Sequence, residues 1–197
     1  MNMYSKITKE SIDEIAKHFM GNPWDYYTEP DLHVQLYWAL RQKLVKESIL
    51  CTQSKDGENV NILYREFPTN KQYAWVGKNK RRANFDLAIL DPKTIATISK
   101  PKSKEMFKGL RACVGIEVKL DVTDKSWKNE MGKCFDKLNE IKEPMGRFII
   151  FFARRQKFRY YDEFCKWIKK KNNEIQVKYV RVHPKKWKED EPENIWL

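Results

Sequence analysis

No stretch of the 197 residues stays apolar for long. The longest unbroken apolar run, residues 148–153, is far short of the roughly 20 residues that span a bilayer as a helix. Residues 1–20 are studded with Lys, Glu and Asp, which excludes a secretory signal and leads us to expect a cytoplasmic protein. Only four cysteines occur, Cys51, Cys113, Cys134 and Cys165, and no two form a Cys-x-x-Cys pair. That excludes a zinc knuckle and predicts reduced, structural thiols. The three histidines, His18, His33 and His183, are scattered without the spacing of a zinc protease. Internal repeats and low-complexity linkers are also absent, and no shift in composition divides the chain, so one domain is expected.

What the chain has is core material and positive charge. Seven Trp, nine Tyr and ten Phe supply the core. The net charge is +12 and is lopsided: residues 1–98 carry 14 basic and 12 acidic side chains, residues 99–197 carry 25 and 15. A basic half suits a polyanionic partner such as nucleic acid, although lysine is also a default surface residue.

The apolar periodicity predicts helices over 8–19 and from Thr28 to about Lys46. The second opens on a capping box, Thr28 with Asp31, and has Pro30 in its first turn. Strands are expected at 60–67 (ended by Pro68), 84–90, 112–120, 148–152 and 175–182, with helices near 127–141 and around Tyr161 to Lys171. Residues 69–82 read as a polar connector. Residues 93–111 read as a long connection with five lysines, in which 95–98 could form a short strand. The tail, 184–197, has no period and is expected to be disordered or to lie along the surface. The order helix, helix, three strands, helix, strand, helix, strand predicts an α/β fold with a single mixed central sheet flanked by helices. The first three strands would be antiparallel neighbours, and the crossover to 148–152 parallel.

Two of these strands carry charge where core strands should be apolar. Asp86 lies within Asn84-Phe85-Asp86-Leu87-Ala88-Ile89-Leu90, and Glu117 and Lys119 within Gly115-Ile116-Glu117-Val118-Lys119-Leu120. Alternation puts Glu117 and Lys119 on one face, opposite Ile116, Val118 and Leu120. Half-buried carboxylates are costly unless paired, hydrogen-bonded or metal-bound. A hard divalent cation such as Mg²⁺, or Mn²⁺ in its place, would find oxygen ligands in Asp86, Glu117 and the Val118 carbonyl.

Asp86 followed by Glu117-Val118-Lys119 on a neighbouring strand resembles the PD-(D/E)XK nuclease superfamily. No proline precedes Asp86, and no glutamine stands on the following helix. The resemblance implies a restriction-endonuclease-like αβββαβ core over about 28–182, with an extra N-terminal helix and a C-terminal helix and strand. It implies Mg²⁺-dependent hydrolysis of phosphodiester bonds, most simply by a DNA endonuclease, leaving a 3′-hydroxyl and a 5′-phosphate. Asp86 and Glu117 would bind metal and Lys119 would assist the water nucleophile. Glu66, ending the first core strand, and Glu29, opening the helix before the sheet, are further candidate acids. Arg81, Arg82, Lys102, Lys104, Lys133 and Lys137 are candidates for phosphate contacts. Double-stranded DNA is the expected partner, with a homodimer where both strands are cut. The alternatives are a catalytically inactive nucleic-acid-binding module on the same fold and a protein-interaction subunit with a basic docking surface.

Overall fold

The computed structural model describes residues 2–76, 79–99, 109–122, 126–142, 144–154, 160–171, 174–182 and 193–197, with the backbone alone of 70–76, 79–82 and 193. Helix α1 (Met3–Gly21) starts at Asn2, whose side chain caps Ser5 N–H at 2.8 Å. Helix α2 (Glu29–Lys46) starts where its capping box predicts: Asp31 Oδ2 accepts from the Thr28 N–H at 2.7 Å and from the Thr28 hydroxyl at 2.9 Å. These bonds hold the Asp31 carboxyl below its usual pKa.

A small antiparallel pair, β1 (Cys51–Gln53) and β2 (Asn59–Asn61), precedes the main sheet. That sheet has six strands in sequence order: β3 (Leu63–Val76), β4 (Asn79–Leu90), β5 (Ala112–Leu120), β6 (Gly146–Ala153), β7 (Gln176–Arg181) and β8 (Glu193–Trp196). β3, β4 and β5 are antiparallel neighbours. Helix α4 (Trp127–Leu138) crosses over to a parallel β6, and α5 (Tyr161–Lys171) to a parallel β7. β8 returns antiparallel. The fold is therefore α/β, with a mixed six-stranded sheet flanked by helices.

Both faces of the sheet are covered. On β6, Phe152 meets Phe19 of α1 at 4.7 Å between ring centroids, while Phe151 meets Phe164 of α5 at 5.6 Å. Adjacent strand residues face opposite ways, so α1 and α5 lie on opposite sides of the sheet. Helix α4 joins α5 through Phe135 and Trp167, 5.1 Å apart. Its C-terminal end presses onto Gly115 of β5, where a Cβ would stand 2.6 Å from Ile141 Cδ1 and 2.7 Å from Leu138 Cδ2. Gly115, Glu117 and Lys119 thus share the face that α4 covers.

Three expectations are corrected. The strand expected to stop at Pro68 runs on to Val76, and 69–82 is largely the body of a long β3–β4 hairpin rather than a connector. β3 is a sheet edge, where a missing N–H is tolerated, and the register shifts just after Pro68. Residues 95–98 form no strand: Asp91 caps a helical turn, α3 (Pro92–Ile95), by accepting from Lys93 N–H at 3.0 Å. In the tail, 193–196 is a strand, while 183–192 lies outside the described residues. Among the described residues, no helix is long and apolar enough to cross a membrane.

Candidate metal centre at the strand fork

The ladder between β4 and β5 runs from Leu90 and Ala112 only as far as Leu87 and Ile116. Past that point, amides of β5 bond carboxylates instead of β4. Val118 N–H donates to Asp86 Oδ2 at 2.7 Å, and Leu120 N–H to Glu29 Oε2 at 3.2 Å. Asp86 comes from β4 and Glu29 from the first turn of α2, so the two acids complete the hydrogen bonding of the fork. An extended strand sends the N–H and C=O of one residue toward the same edge, so the Val118 carbonyl faces the fork as well.

Glu29 also pairs with Lys119: Nζ to Oε1 is 2.9 Å. Burial acts to lower the Lys119 pKa, but the carboxylates of Asp86 and Glu29 outweigh it and raise the pKa. Lys119 is therefore held as an ammonium in the metal-free fold. Glu117 is fully buried. Its Oε2 faces the Lys137 ammonium of α4 as an ion pair, while Oε1 has no hydrogen-bond partner among the described residues. Lys137 also donates to the Asn84 carbonyl at 3.1 Å. Burial, reinforced by the nearby Asp86 carboxylate, pushes the Glu117 carboxyl up to about 8 against the pull of Lys137 and Lys119. Burial likewise acts to lower the Lys137 pKa, and Glu117 and Asp86 more than reverse it.

The residues expected to form a site thus separate. Asp86, Glu29, Glu117, Val118 and Lys119 gather at the fork. Lys137, expected on a phosphate-binding surface, is half of a buried pair with Glu117. Lys133 is solvated and bonds Glu130 at 2.8 Å on its own helix. Glu66 is exposed, with φ 53°, and accepts a 3.4 Å bond from Asn84 Nδ2; it does not join the acids of the fork. Lys102 and Lys104 lie outside the described residues, as do the side chains of Arg81 and Arg82.

One group at the fork was not anticipated. His33 is buried on α2, with Nε2 3.6 Å from Asp86 Oδ2. Glu29, His33 and Asp86 each offer an atom within 4.8 Å of the other two. Donor atoms around one small divalent ion, at about 2.1 Å each, lie about 3–4 Å apart, so slight contraction would let the three share a cation. The sequence signal for His33 was its position four after Glu29, which puts the two on one face of α2. All four cysteines are free, and Cys134, buried beside Glu117 and Lys119, has its thiol pKa raised by burial, so it is no nucleophile.

A separate cleft does not contain this chemistry. It is lined by Phe67, Pro68, Phe85, Arg111, Ile141 and Lys142, among others, and by none of the fork carboxylates. No family model, curated protein or solved structure matches the chain.

Proposed function

We propose that the chain is a metal-dependent nuclease with a restriction-endonuclease-like core, hydrolysing phosphodiester bonds in DNA. The observation that carries this reading is the fork itself, where a buried Asp86 and Glu117, with Glu29 beside them, stand within reach of Lys119. Asp86 and Glu29 also close the hydrogen bonds of the fork, but Glu117 is fully buried, at a cost on the order of several kcal/mol, with Oε1 unpaired among the described residues. The order α2, β3, β4, β5, α4, β6 supports the same reading, because it follows the αβββαβ core of the PD-(D/E)XK superfamily.

The donor set fits a divalent cation. Asp86 and Glu29 carry carboxylate oxygens within 4.8 Å of one another, Glu117 Oε1 is unsatisfied among the described residues, and strand geometry turns the Val118 carbonyl toward the β4 side. When bound, such a cation supplies Lewis-acid polarisation of a phosphoryl oxygen and lowers the pKa of an attacking water. As an ammonium, its state in the metal-free fold, Lys119 has no lone pair and would not act as the base. It donates instead, holding the water oxygen or a non-bridging phosphate oxygen and offsetting the negative charge that grows on phosphorus. The water's proton then leaves to a carboxylate or to solvent. Double-stranded DNA, bound through the basic surface, is the proposed substrate, with two copies acting where both strands are cut.

The test is nicking or linearisation of supercoiled plasmid with Mg²⁺ or Mn²⁺. Cleavage is expected to vanish with EDTA, and with Asp86→Ala or Lys119→Ala in proteins that keep their circular dichroism. Lys119→Ala cutting at the wild-type rate would overturn the mechanism. Salt-dependent DNA binding without strand breaks would reduce the chain to a nucleic-acid-binding module.

A further inference from the structure

The His33 ring is 5% exposed, and among the described residues its Nε2 has no hydrogen-bond partner. Leaving a buried nitrogen unsatisfied costs about 1–3 kcal/mol. Asp86 Oδ2 lies 3.6 Å away, an ion-pair separation when the ring is protonated but beyond hydrogen-bond range, and already accepts from Val118 N–H. The imidazole therefore points a ring nitrogen into a space bounded by Glu29 and Asp86 without bonding either. Two carboxylates and an imidazole converging on one gap have a common chemical partner, a cation. Its kind follows from the nitrogen. Mg²⁺ prefers oxygen and water, whereas imidazole suits first-row transition ions, whose affinity for mixed nitrogen and oxygen sites rises from Mn²⁺ onward.

We propose that the strand fork is a mixed nitrogen and oxygen site, in which His33 Nε2 joins Glu29 and Asp86 to select a first-row transition ion of the Mn²⁺ class over Mg²⁺. The inference deepens the nuclease reading and rests on it only for what the ion does; binding itself does not require that the chain cut anything. Glu29 lies one helical turn from His33, so α2 delivers both ligands as a rigid pair. Glu29 already holds Lys119 through Oε1 and the Leu120 N–H through Oε2, so a cation drawing on Glu29 would share that carboxylate with the ammonium.

The test uses the metals as probes on the whole chain without nucleic acid. Isothermal titration should find Mn²⁺ binding at least about tenfold tighter than Mg²⁺, and His33→Ala should lower Mn²⁺ affinity at least about tenfold while changing Mg²⁺ affinity little. Pulsed electron paramagnetic resonance of the wild-type Mn²⁺ complex should show ¹⁴N modulation from a directly bound imidazole, a readout that needs no variant to fold. Equal affinities for the two ions, absent Mn²⁺ binding, a His33→Ala protein that keeps the preference, or a spectrum without nitrogen coupling would each overturn the assignment. Plasmid cleavage supported by Mg²⁺ and lost in Asp86→Ala would leave the nuclease reading standing in those cases. Nitrogen-coupled Mn²⁺ on a protein that never breaks DNA would uphold the inference and sink the nuclease.

Discussion

Replacing Glu117 by Gln should stabilise the metal-free protein above neutral pH and leave it little changed near pH 4.5. The Glu117 carboxyl titrates at about 8 in the fold against an ordinary value of 4.5, because it is buried and lies near Asp86. A folded-state pKa above the unfolded one means that the folded chain holds a proton which the unfolded chain releases. The resulting stability is fully present below pH 4.5 and is lost as pH rises to about 8. At about 1.4 kcal/mol per pH unit the loss has a ceiling near 5 kcal/mol, and a shift in melting temperature of roughly 10 °C for a chain of this size. Glutamine keeps the shape and cannot ionise, so the Glu117→Gln protein should lack this decline.

Thermal melts of both proteins in EDTA from pH 4.5 to 9 measure this, and the difference between the two curves isolates Glu117 from every other titrating group. A divalent cation should return much of the lost stability to the wild type at pH 8.5, since binding only the folded state stabilises it by mass action. Parallel curves for the two proteins across the whole range would show that the Glu117 carboxyl is not held in its protonated form, and the electrostatic account of the fork would fail.

The Lys137 pairing is tested from the other side. Lys137→Met should cost about 1–3 kcal/mol at pH 8.5, because Glu117 loses the cation that pulls its pKa down and is left as a buried, unpaired carboxyl, and Lys137→Met with Glu117→Gln should remove the pH dependence of that cost in urea unfolding. A cost under about 1 kcal/mol would mean the pair carries no weight. Gly115→Val should destabilise by about 1–3 kcal/mol through the crowding of Ile141 and Leu138, read as a lower urea midpoint. Gly132→Ala, in open space on the same α4, should instead stabilise by about 0.5–1 kcal/mol.

What could be read from the residues was mostly local. The Thr28 and Asp31 cap is a device of four consecutive residues, and it set the start of α2 correctly. The continuous run through Phe152 marked a strand buried on both faces, and β6 sits between two parallel neighbours. Pro68 misled because a proline rule for central strands was applied to an edge strand. The turn at Pro92 was legible in principle, since Asp-Pro is a sound cap and first helical residue. β8 was not: a four-residue strand is held by pairing with β7 and by Trp196, whose Nε1 donates to Asp13 Oδ1 at 3.2 Å across 183 residues. At the fork, alternation along β5 placed Glu117 and Lys119 together, but nothing in the sequence tied Glu117 to Lys137, which lies off the apolar stripe of α4. His33 gave no signal through histidine spacing; its partner is Glu29, one helical turn away on α2.

On the nuclease reading proposed above, the charges at the fork suit a cation first and a polyanion second. Glu29, Asp86 and Glu117 face Lys119 and Lys137, so the five groups sum to −1 when Glu117 is ionised and to zero when it is protonated. This small pocket lies inside a chain of net charge +12. In the metal-free state, the ammonium groups near the fork are held by its own acids, Lys119 by Glu29 and Lys137 by Glu117, and neither is free for phosphate. A divalent cation reverses the local sign, from −1 to +1, and competes for the carboxylates that hold the lysines. The same event therefore makes the fork attractive to phosphate and releases the groups that would touch it. On that reading, metal before nucleic acid is the order this electrostatics favours, with the net charge of +12 supplying the non-specific attraction for a phosphate backbone.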